Sequence, residues 1–488
     1  MTNVLFKRSL AIALRRSTRH VRIHSITRPI FVIPPSVRSC VSPHRSWFTS
    51  AAASDPGAPT LPPPESHCPG CGVAFQTTDP ELPGYWCPPK PKKPLQRKQS
   101  AHTMSTQDFE AAVQALDPEL QAHFAPPIEE EPAVEKEKIK ERLEKKAICQ
   151  RCYSLRYHSR SSITERLRDT QQYGSIHVLQ TKRNPVVVVV ADMTDLPFSL
   201  PARDTLPAQC RMILAVNKVD MLPSSARQHE QRLRDWIKQH AKQQGYTPHS
   251  ICLISARKGW GIPALWKHVE NARLPTDDVY LVGTTNVGKS ALLQRLIRNP
   301  DKYPVTVSRQ PGTTLGLIRI PVHDLAYSSP DHKHRYLIDT PGLVNRLQLD
   351  TPKCNSLSPV TYRVQQGKSL ILGNNLARID VVQASAPLNM TLFTPHTMRL
   401  TKISKLAAYT DWVPLPNHVV GRGHHPSHAS FDLAFASIGW IAVSGRFDHA
   451  AFNIFTRDAN PDYFAIRTSP MLPYEFKGNP RKFYGNQK

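Results

Sequence analysis

The octet Gly283-Thr284-Thr285-Asn286-Val287-Gly288-Lys289-Ser290 stands in the middle of this 488-residue chain and fits the pattern G-x-x-x-x-G-K-[ST]. Such an octet constrains the fold around it: a buried strand must run into a glycine turn, and a helix must begin at the lysine. The glycines let the backbone curl so that successive N–H groups face phosphate oxygens. The lysine adds a cation for the outer phosphates, and the final hydroxyl can hold Mg²⁺. Both flanks agree, since Val279-Tyr280-Leu281-Val282 reads as a short buried strand and residues 291–297 as the apolar start of a helix. Phosphates are therefore expected on Gly283, Thr285, Asn286, Val287, Gly288, Lys289, Ser290 and Ala291.

The surrounding sequence repeats the alternation. Residues 185–192, with five consecutive valines, read as a strand buried on both faces, the mark of a parallel sheet. A second strand, 212–216, runs into Asn217-Lys218-Val219-Asp220, and a helix follows over roughly 226–244. A third strand, 251–254, ends at Ser255-Ala256-Arg257, and another helix covers about 262–272. Beyond the octet come Gln310-Pro311-Gly312-Thr313-Thr314 in a loop, a strand over 316–322, and Tyr336-Leu337-Ile338 running into Asp339-Thr340-Pro341-Gly342-Leu343. Strands alternating with helices at this spacing predict a doubly wound α/β domain, placed at 156–345.

The residues at the strand ends predict the ligand. In N-K-x-D, the Asp220 carboxylate can accept from both N1–H and the 2-amino group of guanine, a pairing adenine does not offer. Asn217 and Lys218 brace that loop, and Ser255-Ala256 supplies a backbone N–H for the guanine carbonyl oxygen. Asp339 in D-x-x-G is expected to act on Mg²⁺ through water, with Ser290 and Thr314 as its hydroxyl ligands and the Gly342 N–H sensing the γ-phosphate. Lys289, Thr314, Asp339 and Gly342 are thus the candidate catalytic groups. The order of these elements is rotated, because guanine recognition precedes the phosphate loop instead of following it. This implies a circularly permuted P-loop GTPase domain whose γ-phosphate-sensing segment leads straight into the C-terminal part, so that hydrolysis can reorient that part.

The outer segments are distinct. Residues 1–54 hold eight Arg, one Lys and no acidic residue, the composition of an organelle transit peptide. Residues 55–66 form a Pro-rich linker. Cys68-Pro69-Gly70-Cys71 and Cys149-Gln150-Arg151-Cys152 are two C-x-x-C pairs, the ligand set of a tetrahedral structural Zn²⁺. They define a zinc-knuckle module at 67–155 interrupted by a long insertion at 88–146, expected to be disordered; Cys87, without a paired partner, is read as a free thiol. Residues 346–488 carry short β-like runs and one candidate helix near Lys402–Tyr409, a β-rich α+β domain. The formal net charge of +25, with twice as many basic as acidic residues after Val344, suits a phosphate-rich partner such as RNA. Trp412, Trp440, Phe452 and Tyr463 permit stacking, although such aromatics mostly serve cores. The His-rich segment Arg422–His428 is read as a solvated loop. No run is long and apolar enough for a membrane span.

The rotated motif order, the cysteine knuckles before it and the basic β-rich tail after it resemble the YqeH-type GTPases. The strings CPGCG, ICQRC, NKVD, GTTNVGKS, PGTTLG and DTPGL carry the resemblance, from about residue 67 onward. With the leader, it points to the organellar members, the nitric-oxide-associated proteins. The resemblance implies a GTP-hydrolysing factor that assembles the small subunit of the mitochondrial ribosome in the matrix, bound to ribosomal RNA and acting as a monomer. A nitric oxide synthase reading finds no haem, flavin or nicotinamide signature, and no DNA specificity is evident. Asn286 resembles the asparagine that holds K⁺ in related GTPases, where the ion neutralises charge that an arginine finger otherwise meets. Leu343 stands where many GTPases place a water-orienting glutamine, so turnover is expected to be slow without K⁺ or an RNA partner. The other reading is an RNA-binding assembly scaffold in which GTP is a regulatory ligand and hydrolysis is incidental.

Overall fold

A computed structural model describes residues 66–86, 111, 114–115, 147–158 and 177–472, the last span without 309, 311, 329–334, 344–351, 353, 407–411, 416–418 and 457–458. The expected leader, almost all of the linker and of the 88–146 insertion, and Cys87 lie outside the described residues.

Six strands form the central sheet: β1 (Val186–Asp192), β2 (Arg211–Asn217), β3 (Ser250–Leu253), β4 (Val279–Val282), β5 (Ile318–Pro321) and β6 (Tyr336–Asp339), in the order β3-β2-β1-β4-β6-β5. All neighbours are parallel except β5, which runs antiparallel to β6 at the edge. Every residue of β1 is buried, as its unbroken valines require of a central parallel strand. A helix α1 (Gln150–Tyr157) precedes the sheet. Helices α2 (Glu230–Gln243), α3 (Ile262–Ala272) and α4 (Lys289–Leu296) connect its strands. One face of β1 packs Val187 and Val189 with Leu233 and Trp236 of α2; the other packs Val188 and Val190 with Trp266 of α3 and Leu293 of α4. Because the connections cross between parallel strands, β1, β2, β4 and β6 all end on one edge. Asp192, Asn217, Gly283 and Asp339 meet there, at the crevice where open α/β sheets bind ligands.

Eight further strands make an antiparallel sheet: β7 (Val360–Val364), β8 (Lys368–Leu372), β9 (Ala377–Ala384), β10 (Leu388–Phe393), β11 (Met398–Lys402), β12 (Val419–Phe435), β13 (Gly439–Thr456) and β14 (Phe464–Arg467). Two expectations change here, and two of the aromatics expected mostly in cores are found there. The helix expected near Lys402–Tyr409 is, over its described part, the end of β11 and a 3-10 turn at Ile403–Leu406, so the described part of this region is β rather than α+β. The His-rich segment is not a loop but part of β12, 17 residues long. It pairs with β13 through register shifts between Gly421 and Gly423, His425 and Ala429, and Ala429 and Phe431, and its histidines stay exposed. Trp440 and Phe452 are buried in cores and offer no face for stacking.

The two sheets share apolar packing. Phe393, Ala434, Trp440 and Ala442 of the antiparallel sheet belong to the same buried cluster as Val187, Leu214 and Trp236 of the parallel one. Arg467, 3 % exposed, lies with its guanidinium 5.4 Å from the Trp236 ring and 5.2 Å from the Trp440 ring, paired to buried Asp432 at 3.1 Å. Any reorientation of the C-terminal sheet has to open this contact.

Candidate nucleotide and metal sites

The phosphate loop closes between β4 and α4. A Cβ at Gly283 would stand 2.4 Å from the Val190 carbonyl oxygen, and one at Gly288, whose φ is +97°, 2.3 Å from Asn217 Nδ2. Glycine is thus required at both corners. Lys289 folds back over the loop, its Nζ donating to the Gly283 and Thr284 carbonyls at 2.9 and 3.0 Å. Burial pushes its pKa down to about 8, against the upward pull of Asp339.

The elements expected to read guanine lie beside it. Asn217 Nδ2 donates to the Val287 carbonyl at 2.8 Å, and its Oδ1 accepts the Ala256 N–H at 2.9 Å, so one side chain ties three loops together. Lys218 holds a left-handed backbone and pairs with Asp192 Oδ2 at 2.5 Å. Two details depart from the sequence reading. The Ser255 N–H goes to the Trp260 carbonyl and the Ala256 N–H to Asn217, so an N–H for the guanine carbonyl has to be shared with that asparagine. Asp220 is already partnered: its Oδ2 lies 2.9 Å from Arg257 Nη2, and Arg257 in turn donates to Oδ1 and the carbonyl of Asn355 at 2.9 and 2.8 Å. Neither Arg257 nor Asp192 is singled out by the motifs. Asp192 has a signal, an acid at the end of the central strand directly opposite Asn217 in the β1–β2 register.

The expected Mg²⁺ ligands converge. Thr314 Oγ1 donates to Asp339 Oδ2 at 3.1 Å and lies 3.1 Å from Ser290 Oγ. Asp339 Oδ1 is buried without a hydrogen-bond partner among the described residues, and burial pushes the carboxyl up to about 6. Two hydroxyls and an unsatisfied buried carboxylate oxygen fit a hard dication. Gly342 leaves room here, since a Cβ would come 2.8 Å from Thr285 Cγ2 and 3.2 Å from Lys289 Nζ. Leu343 exchanges hydrogen bonds with Gly283 and Thr285 through its backbone while its side chain packs on the core. Asp339 is fully buried behind Thr314, whereas Ser290, Thr314 and Gly342 line, with Asn217, Asp220 and Lys289, one cavity of about 550 Å³, which Arg257, Pro352 and Cys354 also border. Asn286, at φ +59°, lines it and also a smaller one of about 80 Å³ shared with Asp192 and Asp195.

The four knuckle cysteines come together despite the 77 residues between their pairs. All are fully buried, their sulfurs within 4.8 Å of one another, with Cys68–Cys152 and Cys71–Cys149 each at 3.8 Å. Sulfurs about 2.3 Å from a tetrahedral Zn²⁺ are separated by about 3.8 Å, so the set fits that ion. Hydrogen bonding among them pulls the Cys149 thiol down and pushes Cys152 up, an uneven sharing of protons that a dication removes.

These features define a P-loop domain built for a guanine nucleotide. In agreement, residues 278–384 match the family described as 50S ribosome-binding GTPase, so the chain carries a GTPase domain, which implies GTP or GDP and Mg²⁺ as ligands. Residues 67–166, which contain the cysteine cluster, match the N-terminal domain of genetic interactor of prohibitins 3. The chain is 32 % identical over 249 residues to YqeH of Bacillus subtilis, covering 48 % of this chain and 64 % of that protein. It is 26 % identical over 309 residues to human nitric oxide-associated protein 1, covering 54 % and 37 %. It is 25 % identical over 240 residues to the mitochondrial genetic interactor of prohibitins 3 of Meyerozyma guilliermondii, covering 48 % and 38 %. The chain is a homologue of YqeH, of the nitric-oxide-associated proteins and of genetic interactor of prohibitins 3.

Proposed function

We propose that this chain binds and hydrolyses GTP as an assembly factor for the small subunit of the mitochondrial ribosome, supporting mitochondrial translation. The supporting observation is the one cavity that Asp220, Lys289, Ser290 and Thr314 all line, with buried Asp339 accepting the Thr314 hydroxyl behind it. In this reading the domain is circularly permuted, Asp220 reads the guanine edge, and Lys289 leaves its loop carbonyls to meet the β- and γ-phosphates. Ser290, Thr314 and, through water, Asp339 would hold Mg²⁺, which would supply positive charge to offset that of the phosphates. Asn286 is assigned a K⁺ ion beside the phosphates. Relatives from Meyerozyma guilliermondii and Arabidopsis thaliana whose names include the mitochondrion, together with the basic leader, favour the mitochondrial matrix. The basic residues of the C-terminal sheet are assigned to ribosomal RNA.

The packing of Leu343 on the core favours a second reading, since it leaves that position without a group to orient water. In it the protein is an RNA-binding scaffold regulated by GTP, with incidental hydrolysis. Crosslinking the mature protein in organelle extract with GTP, GDP or a non-hydrolysable analogue, then sequencing the bound RNA, tests both. The first reading expects small-subunit RNA captured mainly in one nucleotide state. Equal capture in all states supports the scaffold, and large-subunit RNA alone, as the matched family's description would suggest, overturns the small-subunit assignment.

A further inference from the structure

The loop that carries Thr314 is held from outside the nucleotide domain. Cys71 accepts the Leu315 and Gly316 N–H groups on its carbonyl at 3.0 and 2.9 Å, and Gly70 accepts that of Thr306 at 3.2 Å. The approach is too close for side chains, because a Cβ at Gly72 would lie 2.6 Å from the Gly316 carbonyl carbon and one at Gly316 2.1 Å from the Gly72 oxygen. From the other half of the knuckle comes Arg151, 1 % exposed, between Cys149 and Cys152 on the first turn of α1. Its Nη1 donates to the Thr313 carbonyl at 3.2 Å and its Nη2 to the Gly312 carbonyl. The residue after that pair is Thr314, whose hydroxyl reaches Asp339 and Ser290.

We infer that the cysteine knuckle positions the Thr314 loop for Mg²⁺, with Arg151 as the positioning residue that transmits the geometry. The inference rests on the proposed GTPase reading and adds a role for the knuckle in it. The physical case is one of preorganisation. A loop that must present one hydroxyl to a cation loses conformational freedom when it does so, and an anchor that has already fixed its backbone removes that cost from binding. Arg151 is suited to the task, because a guanidinium offers several donors in a fixed fork, and two neighbouring carbonyls satisfy two of them. Its own position is set by the cysteines on either side, so hydrogen bonds link the cysteine cluster directly to the Thr314 loop. Arg151 does not touch the nucleotide cavity, which separates positioning from direct binding.

The test compares Arg151→Met and the milder Arg151→Lys with the native protein and with Thr314→Ala. GDP affinity, GTP-analogue affinity as a function of Mg²⁺, and zinc content are measured for each. Arg151→Met is expected to keep its zinc and to bind GDP within about twofold of native, while half-saturation by Mg²⁺ in the presence of the analogue rises about tenfold, as in Thr314→Ala. Arg151→Lys, which keeps the charge and one donor, is expected to fall between. Independently of any variant, hydrogen exchange at the Thr306, Leu315 and Gly316 amides is expected to speed up when zinc is removed from the native protein by chelation. Native Mg²⁺ dependence in zinc-loaded Arg151→Met overturns the inference, as does unchanged exchange at those amides after zinc loss. A native protein that binds neither GDP nor GTP sinks the GTPase reading itself, a different result from either.

Discussion

Asp220→Asn is the substitution that most directly questions the guanine assignment. The Asp220 side chain is 5 % exposed and sits in the 3-10 turn Val219–Met221, with Arg257 at 2.9 Å as its partner. Guanine would present two donors to this carboxylate. Hydrogen bonds to a charged group contribute roughly 1.5–3 kcal/mol each, so the pair is worth about 3–6 kcal/mol. An amide keeps one acceptor and sets its NH₂ against the guanine 2-amino group, which removes most of that sum. GDP affinity is expected to fall by about 10²- to 10⁴-fold. Xanthine carries a carbonyl in place of the 2-amino group, so the same variant should gain XDP binding. Titration calorimetry with GDP and XDP on both proteins reads the two numbers. Arg257→Ala is the control: that ion pair is about half exposed on its arginine side and worth at most ~1 kcal/mol, so GDP affinity should move by no more than about fivefold. GDP binding by Asp220→Asn within about threefold of native would refute the assignment.

Lys289→Ala should abolish GTP turnover and reduce nucleotide binding below detection, and an unchanged rate would remove the phosphate site from residues 283–290. Turnover should be several-fold faster in K⁺ than in Na⁺; equal rates would remove the cation assigned to Asn286. Burial, with the charge of Asp192 adding to it, raises Asp195 from 3.8 to about 7. The folded state therefore holds the extra proton between those values, so this group's contribution to stability is complete below about pH 4 and is lost, by up to about 4 kcal/mol, as pH rises to 7. Asp195→Asn should flatten that fall in denaturant titrations between pH 5 and 8, and an identical slope would show that Asp195 does not titrate there. Arg467→Met leaves Asp432 buried and unpaired and should cost about 3–5 kcal/mol, largely recovered in the double variant with Asp432→Leu. Thermal unfolding of both decides it: a single variant as stable as native would mean the pair is not buried in solution.

Much of the site could be read from the chain because its determinants are local. Five consecutive valines have one comfortable place, the middle of a parallel sheet, and each motif follows its own strand by a residue or two. The cysteine pairs were legible as a ligand set, although nothing in the sequence says that 77 intervening residues let them meet. What could not be read depends on distant partners. Arg257 finds Asn355 across 98 positions, and Arg151 finds Gly312 across 161. In β12, two glycines, a proline and three histidines look like a loop by composition. The strand survives because register shifts fall within that stretch, one of them spanning Pro426, which has no N–H to give and serves as an acceptor for Asn389 Nδ2 and Ser444 Oγ. Trp440 is core for a similar reason: its ring stacks on Phe393, a partner on another strand, 4.7 Å away.

The attachments of the outer modules give the rotated motif order a mechanical sense. The cysteine knuckle grips the phosphate side, through carbonyls and Arg151 on residues 306–316. The antiparallel sheet and the segment entering it grip the base side. Ser437 N–H donates to Asp195 Oδ1 at 2.6 Å, Leu357 N–H to the Met221 carbonyl at 2.7 Å, and Arg467 to the Leu196 carbonyl at 3.3 Å. Met221 is the neighbour of Asp220, and Asp195 follows the partner of Lys218 by three residues, so base recognition and the C-terminal sheet share a frame. A nucleotide that bridges Asp220 and Thr314 therefore bridges the two outer modules as well. Under the proposed reading, losing the γ-phosphate loosens the Thr314 end and leaves the guanine end in place, so the element released first is the knuckle side and not the RNA-facing sheet. Exchange at the Ser437 and Leu357 amides should accordingly stay constant between GTP-analogue and GDP states, while exchange at Leu315 and Gly316 changes.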